Sequence, residues 1–150
     1  MSLNNYLSKK KYHSIKLKKT KTNHFLVKAK INGIKGRFIL DTGASNTCVD
    51  FGLASHFKLN AKESKTKAAG AGAVEMDTQE AIDVKIKIGK WKLYNLHLVL
   101  FDLSHVNTAL TNHKAKPVDG IIGADILKKG KAIIDYNKKR LFLKKKKYLY

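Results

Sequence analysis

The chain carries a single cysteine, Cys48, in 150 residues. That excludes an internal disulfide framework and fits a reducing compartment. Cys48 lies in an apolar context with no His and Asn/Asp pattern to support it, so it reads as a buried structural thiol and not a nucleophile. Arginine is nearly missing as well: of 31 basic residues only Arg37 and Arg140 are arginine, although the net charge is +20. Specific nucleic-acid recognition uses arginine forks and stacking aromatics, so a solvated lysine surface is favoured and a nucleic-acid role disfavoured. No apolar run is long enough to span a bilayer, the longest, near Leu96 to Leu103, being broken by His97 and Asp102. The first residues lack the apolar core of a signal peptide, so no membrane association and a cytoplasmic location are expected. The six histidines offer no His-Glu-x-x-His or paired Cys/His spacing, and no glycine loop precedes a Lys-Ser/Thr. Neither a metal nor a nucleotide cofactor is expected.

What is present points to one domain of many short strands. At 16.8 kDa the chain can bury a core without covalent help. Residues 1–11 are polar and lysine-rich and read as a flexible basic arm; the folded domain is expected over 12–150. Phe25, Val27, Ala29 and Ile31 alternate with partly polar neighbours, and Asn32-Gly33 is a hairpin signal that turns this strand back into Ile34 to Asp41. A short strand is expected at Thr47 to Asp50, one or two helical turns over Phe51 to Leu59, and a strand through Ile82, Val84, Ile86 and Ile88. Another runs from Trp91 to Phe101, one helical turn falls near Val106 to Leu110, and a final hairpin spans Ile133 to Leu143. Little helix and many short strands argue an all-β barrel or sandwich.

Two stretches carry the chemistry. The apolar strand Arg37-Phe38-Ile39-Leu40 delivers Asp41-Thr42-Gly43-Ala44-Ser45, in which Gly43 is expected to take backbone angles forbidden to a β-carbon and to let a substrate backbone approach. Much later, Ile121-Ile122-Gly123 is a buried apolar pair ending in glycine, followed by a short helix start at Ala124-Asp125.

With both motifs in this order the chain resembles the single-domain, retropepsin-like aspartic proteases of clan AA, over roughly Ile15 to Leu143 and in the pattern of their cellular or bacterial branch. The resemblance implies a closed barrel of about six strands, a flap hairpin with its tip near Gly70, Ala71 and Gly72, and one or two short helices. It also implies a homodimeric aspartic endopeptidase acting on peptide or protein substrates. Peptide hydrolysis of this kind uses two carboxylates that share one proton. Only one Asp-Thr-Gly exists here, because Asp119, Asp125 and Asp135 lack the following Thr/Ser-Gly. The second carboxylate is therefore expected from Asp41 of another subunit. Thr42 would hydrogen-bond across the dimer, Gly43 would let the backbone approach, and Ala44, Ser45, Gly70, Ala71, Gly72 and Ile122 would meet substrate. Retroviral members usually carry an acid where Ser45 sits and an arginine where Ala124 sits, joined as an ion pair; both are absent. The alternative is a dimeric peptide-binding or scaffold module without turnover.

Overall fold

The computed structural model describes residues 2–63 and 77–145. It opens with a helix, α1 (Leu3–Lys9), where the sequence predicts a frayed arm. The Ser2 hydroxyl accepts the Asn5 N–H at 3.1 Å as an N-cap, and Leu7 is buried, so capping and one apolar anchor order the segment. Strands β1 (Tyr12–Lys16) and β2 (Lys18–Lys19) lead to the hairpin of β3 (Phe25–Ile31) and β4 (Ile34–Leu40). Asn32 and Gly33 sit at φ 51° and 84°, the left-handed pair that a two-residue hairpin turn demands.

After the Asp-Thr-Gly loop come β5 (Cys48–Asp50) and a 3-10 turn at Phe51–Leu53. The expected longer helix does not follow; the chain continues in turns that drop Phe57 fully into the core. Strand β6 (Lys62–Glu63) pairs with the start of β7 (Gln79–Ile88), and β8 (Trp91–Phe101) runs back along β7. Gly70, Ala71 and Gly72, expected at a flap tip, lie outside the described residues. Then follow α2 (Ser104–Asn112), β9 (Gly120–Ile122), α3 (Ala124–Lys129), β10 (Ile133–Asp135) and β11 (Arg140–Lys144). Helix α2 runs for two turns where one is expected, because the Asp102 carboxylate accepts the Ser104 N–H at 2.8 Å and starts it.

Strands β3-β4-β9-β5-β8-β7 are paired in that order, and β7 pairs again with β3, so six strands close into the barrel expected from the sequence. Val27, Ala29 and Ile31 of β3 and Ile86, Ile88, Trp91 and Leu93 of the β7–β8 hairpin face inward. A second sheet, β1-β11-β10, packs at one end and is tied on by Trp91, whose Nε1 donates to the Lys144 carbonyl at 3.0 Å. Full burial of such side chains supplies about 1.5–3 kcal/mol each.

The outer face of the barrel differs from the dispersed lysine surface expected from composition. Strand register sets Lys35 directly opposite Lys30, Lys30 opposite Lys87, and Lys87 opposite Lys92, a row of like charge crossing four strands. Lys28 faces Arg37 beside it. His97 pairs with Glu80 at 2.9 Å, and this ion pair is partly exposed. Like charges directly opposite one another destabilise a sheet. Lys30→Glu, which turns two repulsive pairs into attractive ones, should therefore raise unfolding stability by about 0.5–1 kcal/mol in denaturant titrations. Raising salt from about 10 mM to about 200 mM should raise the wild-type Tm and shrink the gain from Lys30→Glu.

Candidate active site

The site is built by three short strands. Strand β9 lies between β4 and β5, parallel to the first, with Ile39 opposite Ile121 and Leu40 opposite Ile122, and antiparallel to the second, with Cys48 opposite Ile121. The loop 41–47 must therefore leave β4, arch over the end of β9 and re-enter in β5. Gly120 makes the tight pairing possible, since a Cβ there would strike the Cys48 carbonyl and the Phe38 ring. Asp119 extends the lock: its carboxylate accepts the Arg37 N–H at 2.8 Å, its own N–H donates to the Arg37 carbonyl, and its carbonyl accepts the Asp50 N–H.

Asp41 is held at the strand end by its backbone N–H, which donates to the Ile122 carbonyl at 2.9 Å. Its side chain is exposed, and Oδ1 accepts the Gly43 N–H at 2.9 Å. Gly43 does not take the left-handed conformation expected of it, since only Gly33 and Gly89 among the described glycines have positive φ. What it supplies is space: a Cβ would sit 3.3 Å from Asp41 Oδ1, crowding the carboxylate. Thr42 and Ser45 are exposed and Ala44 is half-buried.

Beneath the loop lies a polar brace that sequence reasoning missed. The buried Thr47 hydroxyl donates to Asp125 Oδ1 at 2.7 Å and accepts the Gly123 N–H at 3.0 Å. Asp125 Oδ1 also accepts the N–H groups of Thr47 and Ile126. The Ala124 N–H donates to the Ala44 carbonyl at 2.7 Å, and a Cβ on Gly123 would meet that same oxygen at 2.7 Å. These bonds connect loop 41–47 to α3 where an ion pair between positions 45 and 124 is lacking. A sequence signal existed in Thr47 and Asp125 together, but only the fold brings residues 78 positions apart into contact.

Ile122, expected to meet substrate, is buried in this structure. Strand alternation turns it, with Leu40 and Val49, into the barrel core, where it is fully buried. Ile121 and Ile39 point to the opposite face, the one to which Asp41 belongs by the same alternation. Cys48 joins them, and burial pushes its thiol up to about 12; a bond with the Ile121 backbone opposes the shift, and the charges of Asp125, Asp41 and Asp50 add to it. Other acids nearby have structural partners: Asp50 accepts the N–H groups of Gly52 and Leu103, and Asp135 accepts that of Lys138. Asp41 is the carboxylate left facing outward from the motif.

Compared with known proteins, residues 27–126 match the aspartyl protease family model, and the chain belongs to this family. Its fold is retropepsin-like. A retropepsin-like aspartic protease from Rickettsia conorii superposes with a TM-score of 0.60 at 22% identity, over 88% of this chain and 90% of that one. The retroviral protease-like domain of Ddi1 from Leishmania major gives 0.51 at 15%, over 79% and 86%. The EIAV protease in complex with the inhibitor HBY-793 gives 0.50 at 20%, over 69% and 84%. No curated protein sequence matches.

Two outcomes test this architecture. Thr47→Val, which leaves the Gly123 N–H without its acceptor, should cost about 1–3 kcal/mol in the denaturant midpoint. Cys48 should resist alkylation at pH 8 in the native state and react at an ordinary thiol rate once the protein is unfolded, as followed by mass spectrometry.

Proposed function

We propose that the chain is a homodimeric aspartic endopeptidase in which Asp41 of each of two subunits forms the catalytic pair. The observation that carries this reading is the single Asp-Thr-Gly, delivered at a strand end with its carboxylate exposed and backed by an extensive brace. In such a pair one carboxylate accepts a proton from the attacking water while the other donates to the scissile carbonyl oxygen. The roles then reverse as the amine leaves. Such a pair works by sharing one proton between its two carboxylates. The Gly43 N–H supports the reading by fixing the rotamer of the Asp41 carboxylate.

The surface beside the motif supports the dimer. Thr42, Ala124, Leu127, Ala132 and Ile134 line an open depression of about 360 Å³ together with Lys128 and Lys131. Next to it, β10 forms an outer strand of the β1-β11-β10 sheet, carrying half-buried Ile133 and Ile134, with exposed Tyr136 just beyond. A second copy docked here buries apolar surface, pairs with the strand that is outermost among the described residues, and brings Thr42 toward its counterpart. The substrate on this reading is an extended peptide.

Asp41→Asn should lower kcat by about 10²–10⁴-fold on a peptide library while leaving Tm nearly unchanged, because the side chain is exposed. The kcat/KM profile of the wild type should be bell-shaped, with both limbs set by the carboxylate pair. Peptide binding by the wild type with no product by mass spectrometry, and binding unaltered by Asp41→Ala, would instead favour the scaffold reading.

A further inference from the structure

Beside Asp41 lies a satellite apolar cluster separate from the barrel core. Ile39, two residues before Asp41 in β4, shares its face; Ile121 and Cys48 continue that face across β9 and β5. Ala44 of the catalytic loop packs against the same cluster. In an open cleft this apolar surface would meet the side chains of a bound peptide. Here it is covered. Leu103, Leu110 and Val118, from the segment that joins β8 to β9, close over it at 0%, 2% and 3% exposure, leaving Ile39 at 5% and Ile121 at 9%.

The covering segment is fastened at both ends and in the middle. The Leu103 N–H donates to Asp50 Oδ1 at 2.9 Å, which ties the entry of α2 to the end of β5. The Asp102 carboxylate holds the first helical N–H. Asn107 then makes two bonds to one residue: its Nδ2 donates to the Val118 carbonyl at 3.0 Å, and its Oδ1 accepts the Val118 N–H at 2.7 Å. This amide clamp mimics a strand pairing and fixes α2 against the chain that enters β9. A cover secured by four such bonds has a defined depth and does not adapt to each ligand.

We propose that residues 103–118 are the substrate-selecting wall of the cleft, with Leu110 setting its depth, so that the subsite beside Asp41 admits small apolar side chains and rejects aromatic ones. The inference rests on the protease reading above. A peptide lying across the Asp41 pair presents alternate side chains to the sheet face. The one directed at Ile39 and Ile121 finds their surface already packed by Leu110. Val106, half-buried at the margin of the same cluster, is the second wall residue. A wall of this kind acts on side-chain size next to the scissile bond and leaves the carboxylate pair untouched.

The experiment uses matched peptides that differ only in alanine or phenylalanine next to the scissile bond, cleaved by wild type, Leu110→Ala and Val106→Ala. Wild type should favour alanine, and Leu110→Ala should shift the kcat/KM ratio toward phenylalanine by about tenfold or more, with the change mainly in KM. Val106→Ala should shift it in the same direction by less, and serves if Leu110→Ala fails to fold. A ratio unchanged in folded variants, both peptides losing rate equally, assigns the segment a purely structural role and overturns the proposal. So does a wild type that already prefers phenylalanine. Binding of the same peptides to Asp41→Asn, measured by calorimetry, separates the two readings. The same size preference in binding without any wild-type cleavage sinks the protease reading and leaves the wall standing, whereas binding indifferent to size overturns the wall.

Discussion

The insertion of a three-residue strand between two others governs this structure. Because Gly120–Ile122 separates β4 from β5, the chain joining those strands must arch over the end of β9, and Asp41 begins the arch. The pairing is only as close as Gly120 permits, and the arch is only as rigid as the Thr47 hydroxyl and Asp125 make it. Each of these residues is inert by itself. Together they hold one carboxylate at the surface with its Oδ1 already engaged by the Gly43 N–H, which is the orientation the proposed function needs.

The two faces of these strands divide the labour. Phe38, Leu40, Val49 and Ile122 turn inward and stabilise the barrel, while Ile39, Cys48 and Ile121 turn toward the Asp41 side. The barrel core and the candidate site thus share a backbone without sharing side chains. The same alternation brings lysines on the outer surface into register, where their repulsion works against the fold. A core with Trp91, Phe38 and Phe57 at or below 1% exposure can tolerate that cost.

Much of this was legible in the sequence because it is local. Asn32-Gly33 announces its hairpin through backbone angles that few residue pairs adopt, and Asp41-Thr42-Gly43 with Ile121-Ile122-Gly123 announces the fold family through order. What stayed hidden depends on contacts remote in the chain. The α1 helix exists because Ser2 caps it and Leu7 finds a buried site, and the lysine row exists because of strand register. The Thr47–Asp125 brace needs the barrel closed before its partners meet. For Gly43 the missing Cβ, and not a left-handed backbone, makes room for the carboxylate, and one step of strand alternation sends Ile122 into the core, neither of which its motif shows.

The proposal that Asp41 supplies half of an active site has a direct test in subunit mixing. Wild-type and Asp41→Asn chains, equilibrated at equal concentrations under conditions that allow exchange, should retain about one quarter of the activity of the same total concentration of wild type, since only dimers with two intact carboxylates turn over. Activity should follow the square of the wild-type fraction throughout the titration. A linear dependence, with half the activity kept at equal mixing, would mean that each chain carries a complete site and would contradict the account.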